Sequence, residues 1–414
     1  MKSKLLLLLF LALPLNAQQL PIVFVHGNGD SSSLWITTVW RFESNGYPRS
    51  LLFAVDFPHP SAVADDTKPQ ENRSSSVDEA SYLAGEVARV LLTTGQKKVI
   101  LIGSSRGGNT IRNYIKNAGG SATVAKAILG GTPNHGVLKS PDVPNNEFNG
   151  LGILLTGLNT GNEVIAGIDF LTIRSDKNDK YAQPRGGGYE SPELKGAKNV
   201  VIPNIDHRET AFHKLAFKAM YDFITGKPPA TLDYVAEEKP VLNGMVGGFA
   251  AGAYTNLPVA GVAVAVYETD PDTGQRRGPA VHAKTTAADG MWGPFIARRD
   301  AYYEFVFNGI HIYRTPFPRS SNYVGLRVHP AEQAEGSVVY LTRPRGYLGH
   351  GRDTFLVDGK VPDGVGDGVP TSDSARVRFP SGAQRAVPVT LNGEKITVLT
   401  WPSSEGQVAV AEFH

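Results

Sequence analysis

The pentapeptide Gly103-Ser104-Ser105-Arg106-Gly107 combines residue types and spacing that suit nucleophilic chemistry. It follows the apolar run Val99 to Ile102 and precedes a helix-like segment carrying Ile111, Tyr114 and Ile115. A serine in the middle of G-x-S-x-G on a sharp strand-to-helix turn takes a strained backbone that pushes its Oγ out over the sheet edge. The flanking glycines avoid clashes with neighbouring chain. Ser105 is therefore the candidate nucleophile, and the strand-and-helix setting argues against an inert Gly-Ser loop. The negative oxygen formed when such a serine attacks a carbonyl needs two backbone N–H donors. One is the N–H of Arg106. The second is assigned to the N–H of Asn28, with Gly27 as the alternative, in the loop His26-Gly27-Asn28-Gly29 after the strand-like run Ile22 to Val25. His26 is read as holding that loop.

The serine needs a histidine base, and strand-to-helix nucleophiles order their partners Ser, acid, His along the chain. Among ten histidines, His207 fits best, because it follows the apolar run Val200 to Ile202 and precedes a helix-like segment from Ala211 to Ile224. His213 is placed inside that helix, in a surface or packing role. His135 comes before any plausible acid and is read as loop structure. The acid should follow the run Phe170 to Ile173, where Asp176 and Asp179 compete. Asp179 is preferred and Asp176 stays open. Nothing in this chemistry calls for a metal or an organic cofactor.

These residues need a parallel sheet covered by helices, and from Leu20 to about Thr225 short apolar runs do alternate with helix-like segments. Strands are expected at Pro21 to Val25, Val99 to Ile102, Ala127 to Leu129, Phe170 to Ile173 and Val200 to Ile202. A helix over Val77 to Leu91 is announced by a capping-box pattern at Ser76 and Glu79. Lys227-Pro228-Pro229 breaks the pattern. Beyond Pro240 alternating apolar residues such as Val262, Val264 and Val266, or Tyr303, Phe305 and Phe307, read as strands of a sandwich. The expected organisation is a signal peptide over 1–17, an α/β catalytic domain over 18–226, a linker over 227–237, a transthyretin-like β-sandwich over 238–336 and a second small β domain over 337–414. Asp363, Asp367 and Asp373 lack the spacing of a calcium loop and are read as a polar turn.

The chain has 414 residues, 41% hydrophobic and 19% charged, with a net charge of +2 and no cysteine. That length exceeds what one hydrophobic core usually serves. The balanced charge offers no field for nucleic acid, which is not expected as a partner. Lys2 and Lys4 ahead of the apolar run Leu5 to Leu13, with Ala17 before polar residues, read as a secretory signal. The run is shorter than the roughly 20 residues of a membrane-spanning helix. An extracellular or periplasmic protein without a transmembrane segment is expected.

Together, His26-Gly27-Asn28-Gly29, Gly103 to Gly107, Gly131-Thr132-Pro133-Asn134-His135-Gly136, Asp179 with Gln183-Pro184, and His207 resemble the bacterial lipases and esterases of the α/β-hydrolase superfamily. The likeness covers about residues 20 to 225, and the β-rich remainder is similar to lipase C-terminal domains that assist lipid binding. Two positions depart from the family pattern. Ser104 stands where many lipases have His, and Arg106 where Met or Gln is frequent. Arg106 is expected to pair with a carboxylate or to alter the pocket entrance. The resemblance implies a secreted carboxylic ester hydrolase, a triacylglycerol lipase or carboxylesterase, whose substrate carries an acyl chain and can be aggregated lipid. A polyester depolymerase is the second hydrolase reading, and a non-catalytic lipid- or surface-binding protein on the same scaffold is the reading from another class.

Leu154, Leu155 and Leu158, in an apolar segment between Asn149 and Gly167, are candidates for the wall or lid that receives an acyl chain, against the alternative of an ordinary core helix. The aromatics around Trp292 and Tyr302 to Phe307 are either sandwich core or a platform for insoluble substrate.

Overall fold

The computed structural model describes residues 19–184, 192–327, 337–379 and 384–414. The expected signal peptide lies outside them, as does the expected boundary at residue 336. In the first half, β1 (Ile22–Val25), β2 (Leu52–Ala54), β3 (Val99–Ser104), β4 (Val124–Gly130), β5 (Asp169–Ser175) and β6 (Lys198–Ile202) form one parallel sheet in the order β2-β1-β3-β4-β5-β6. The α/β fold with a β-rich C-terminal region is thus borne out. The edge strand β2, three residues long, carries too short a pattern to be read from sequence.

Side chains alternate across a strand, so each strand feeds two cores. Ile22 and Phe24 of β1 join Ile100, Ile102, Leu171 and Ile173 on one face. That face is covered by α1 (Ile36–Ser44) and, late in the chain, by α5 (Glu209–Phe212) and α6 (Lys214–Thr225) through Phe42, Ala211 and Phe217. Val23 and Val25 point the other way, against α2 (Ser76–Thr94) and α3 (Arg106–Asn117), through Leu83, Val87 and Ile111.

The capping box of α2 sits one residue earlier than the sequence pattern suggests: the Ser75 hydroxyl accepts from the N–H of Asp78, and the Asp78 carboxylate accepts from the N–H of Ser75. Ser76 and Glu79 are engaged elsewhere, Ser76 donating to Asp66 and Glu79 pairing with Arg106. His213 likewise caps α6 rather than lying within a helix. Its Nδ1 accepts from the N–H of Leu215 at 3.3 Å, and burial lowers its pKa to about 4, which keeps the ring neutral and able to accept.

A fourth helix, α4 (Ile153–Asn159), packs on α3. Leu155 and Leu158 are buried there, while Arg112 and Lys116 of α3 donate to the carbonyl of Leu158 at 3.3 and 3.2 Å.

In the β-rich region one seven-stranded sheet runs in the order His282–Thr285, Ala263–Thr269, Tyr302–Phe307, Ile310–Arg314, Val408–Glu412, Ser337–Thr342, Ser374–Phe379. The strand Val408–Glu412 lies parallel between Ile310–Arg314 and Ser337–Thr342, so the segments on either side of residue 336 share this sheet. Trp292, Tyr303, Phe305 and Phe307 are core residues and present no exposed platform. The same core takes in Ile36 and Trp40 of α1, and the indole N–H of Trp40 donates to the carbonyl of Ser320 at 2.9 Å. The β region is therefore packed onto the α/β domain through a shared apolar core.

Candidate active site

Ser105 joins β3 to α3 with φ 54° and ψ −123°, a positive φ that a non-glycine residue adopts only under strain. The surrounding backbone enforces this turn. A Cβ on Gly103 would lie 2.7 Å from the N of Gly108, and one on Gly107 would lie 2.4 Å from the carbonyl oxygen of His26. The N–H of Ser105 donates to the carbonyl of Gly130 at 2.8 Å, which ties the turn to β4.

Asp179 and His207 come together from the loops after β5 and β6. Asp179 is fully buried; its Oδ1 accepts from the N–H groups of Tyr181 and Ala182 at 2.7 and 2.9 Å and lies 2.8 Å from Nδ1 of His207. The carboxylate thus fixes Nδ1 as the protonated nitrogen and leaves Nε2 able to accept a proton. Tyr181 packs its ring against the imidazole, with centroids 4.9 Å apart, and Thr210 holds the carbonyl of His207. Asp176 is exposed and accepts from the N–H of Asn204 instead. Ser105 and His207 line one cavity of about 720 Å³, which also touches Val137, Phe148 and Tyr181.

The loop after β1 lies against Ser105, since a Cβ on Gly27 would be 3.0 Å from the Cβ of Ser105. His26 bridges this loop. Its Nδ1 lies 2.8 Å from the carbonyl of Gly27, and its Nε2 accepts from the N–H of Phe57 at 3.2 Å, an arrangement satisfied by one neutral tautomer. Oδ1 of Asn28 accepts from the N–H of Ala62 at 2.8 Å, which ties the loop to the segment after β2. Arg106 opens α3, where the first N–H groups have no intrahelical acceptor. Its side chain points away from the cavity, fully buried, and pairs with Glu79 at 2.5 Å and Glu147 at 2.6 Å. Of the two roles expected for it, carboxylate pairing is the one seen.

Leu154, Leu155 and Leu158 do not line the cavity. Leu155 and Leu158 are turned into the packing of α4 and Leu154 is half-buried, because a seven-residue helix tied to α3 spends its apolar face on that contact. The opposite wall comes instead from the β region, through Met245, Tyr254, Asn256, Met291, Arg327 and Tyr347. Sequence reading missed these residues, which are scattered over a hundred positions without a local pattern. Arg208 had the single available clue, adjacency to His207. It pairs with Asp30 at 2.5 Å and with Asp373, in the expected polar turn, at 3.0 Å. Among the described residues no group of three or more His, Asp or Glu could hold a metal ion, and no helix is long and apolar enough to cross a membrane.

Residues 19–139 match the lipase (class 2) family, and residues 239–331 match the lipase C-terminal domain. Among solved structures, Aspergillus fumigatus lipase B is 15% identical over 52% of this chain and 55% of its own, with a TM-score of 0.41. Bacillus licheniformis lipase BlEst2 in its mature form is 20% identical over 51% of this chain and 94% of its own, with a TM-score of 0.38. The propeptide form of that lipase is 16% identical over 92% of this chain and 93% of its own, with a TM-score of 0.39.

Proposed function

We propose that this chain, which matches the lipase (class 2) family over residues 19–139 and the lipase C-terminal domain over residues 239–331, cleaves carboxylic esters with Ser105 as nucleophile, His207 as base and Asp179 as acid. The single observation that carries this reading is the buried 2.8 Å contact between Asp179 and Nδ1 of His207, beside a cavity that His207 and the strained Ser105 turn both line.

His207 Nε2 takes the Ser105 proton as Oγ bonds to the ester carbonyl carbon. The resulting oxyanion accepts from the backbone N–H groups of Arg106 and Asn28. When the carbonyl re-forms, the C–O bond to the alcohol breaks and His207 returns the proton to the departing oxygen. Water, deprotonated by His207, then releases the acid and restores Ser105. Asp179 stays ionised and stabilises the imidazolium in both steps. The acyl chain lies along Val137, Phe148 and Tyr181. Export is part of the reading, supported by Lys2, Lys4 and the apolar run Leu5 to Leu13, with removal of residues 1–17; N-terminal sequencing of the exported protein tests it.

The test of function is hydrolysis of p-nitrophenyl esters from acetate to palmitate, beside Ser105→Ala. Turnover by the wild type and loss of roughly 10⁴-fold or more in the variant are expected. The chain-length profile separates esterase from lipase. A wild type that releases no p-nitrophenol and takes no fluorophosphonate label overturns the proposal in favour of a binding protein.

A further inference from the structure

We propose that the β region completes the catalytic machinery by positioning the oxyanion loop, with Arg327 and Asn256 as the positioning residues. This rests on the ester-hydrolase reading above and deepens it.

Two carbonyls of the loop 26–30 are bonded from outside the α/β domain. Nη1 of Arg327 donates to the carbonyl of Gly29 at 3.0 Å, and Nδ2 of Asn256 donates to the carbonyl of Asp30 at 2.9 Å. The two are themselves linked, since Nη2 of Arg327 donates to Oδ1 of Asn256 at 3.0 Å. Asn256 also donates through Nδ2 to the carbonyl of Phe57 and through its backbone N–H to that of Pro58, both at 3.0 Å. It thereby grips the segment whose Phe57 N–H holds His26. Around the 29th and 30th residues the α/β domain supplies the bond from the N–H of Gly29 to the carbonyl of Pro60, that from the N–H of Asp30 to the carbonyl of Gly27, and the ion pair of Arg208 with the Asp30 carboxylate, while the two carbonyls are met from the β region.

The choice of arginine has a physical basis. Its planar fork reaches two acceptors at once, Gly29 and Asn256, which a lysine ammonium on a flexible stem cannot hold in fixed geometry. Arg327 has no carboxylate partner at ion-pair distance among the described residues. Its charge is met by those two dipoles, by the face of Tyr254, 4.9 Å from its guanidinium carbon, and at longer range by the carboxylates of Asp30 and Asp56. Because the Gly29 carbonyl is among its hydrogen-bond acceptors and the Asp30 carboxylate of the same loop also faces its charge, the guanidinium favours one position of that loop. The residue next to Gly29 is Asn28, whose N–H is the second oxyanion donor of the proposed mechanism. A displacement of about 1 Å at such a donor costs on the order of 100-fold in rate.

The test is kinetic, on the full chain. Arg327→Met and Asn256→Ala are assayed with p-nitrophenyl acetate, a soluble ester for which lipid adsorption is irrelevant, and rates are expressed per active site titrated with a fluorophosphonate. Each variant is expected to lose about 10- to 100-fold in kcat, with KM within threefold and slower fluorophosphonate labelling. Arg327→Lys is expected to recover less than half of the loss on a logarithmic scale. A merely structural role would lower Tm and the titrated fraction and leave kcat per site unchanged, and that result overturns the inference. Should Arg327→Met not fold, the smaller change at Asn256 decides by the same criterion. A wild type inert toward esters would instead sink the hydrolase reading itself, so the two failures are distinguishable.

Discussion

Two buried ionic clusters stand behind the candidate catalytic residues, and they differ in where their partners come from. Behind Ser105, the Arg106 guanidinium meets Glu79 and Glu147, all within the α/β domain. Behind His207, Glu209 meets Arg343 and Arg352, which arrive 134 and 143 residues further along the chain, and Asp206 meets Arg352 and the N–H of Tyr347. Ser105 is anchored by its own domain, His207 by the neighbouring one. In each cluster a carboxyl is held above its ordinary range, Glu147 by burial and Asp206 by burial reinforced by the adjacent Glu209.

The largest effect should separate the triad from both clusters. Asp179→Asn is expected to lower kcat by roughly 10³- to 10⁴-fold, since the imidazole loses the partner that sets its tautomer, whereas Asp176→Asn should stay within a few-fold. Comparable losses in the two variants would reopen the choice of acid. Next comes the borrowed anchor. Arg352→Met leaves Asp206 and Glu209 short of a buried cation and should cost about 3 to 5 kcal/mol of stability, read by denaturant melts. A change below 1 kcal/mol would mean the base needs no anchor from the β region. Leu155→Ala should cost about 2 to 5 kcal/mol and leave the ratio of palmitate to acetate hydrolysis unchanged, while Phe148→Ala should raise KM for the long ester alone. Selective loss of the long ester in Leu155→Ala would restore the lid that the packing of α4 argues against.

A smaller effect tests the charge balance behind Ser105. A carboxyl that folds with a raised pKa holds its proton more tightly in the native state, so the stability it supplies is present below 4.5, the ordinary value for Glu147, and is lost as the pH climbs through about 7. Glu147→Gln should remove that loss. Between pH 5 and 8 the wild type should fall relative to the variant by on the order of 1 to 3 kcal/mol in thermal or denaturant melts. Parallel curves would show that Arg106 keeps Glu147 ionised throughout.

Legibility followed the range of each pattern. The Gly103 to Gly107 turn is local, its setting between β3 and α3 was visible, and the strand runs near 22, 100, 128, 171 and 201 appeared as expected. Where two local signals competed, packing chose between them. Asp176 and Asp179 sit on the same loop, and only the loop's path puts one carboxylate inside against His207. Ser75 rather than Ser76 caps α2 because Glu79 is claimed by Arg106, a residue 27 positions away. The leucines of 154–158 show the limit of reading apolarity alone, since an apolar helix face is the same whether it meets substrate or another helix.

The sequence by itself determined the Gly103 to Gly107 turn, the alternation of strand and helix in the first domain and the change to β structure after Pro240, because strand alternation, helix periodicity and glycine spacing act over a few residues. Only the tertiary structure decided that the β region forms a wall of the cavity lined by Ser105 and His207, holds the loop at Gly29 through Arg327 and braces the segment around His207 through Arg343 and Arg352. Those contacts join residues more than a hundred positions apart. Their specificity lies in the mutual placement of a guanidinium and a carbonyl or carboxylate, which leaves no periodic trace along the chain.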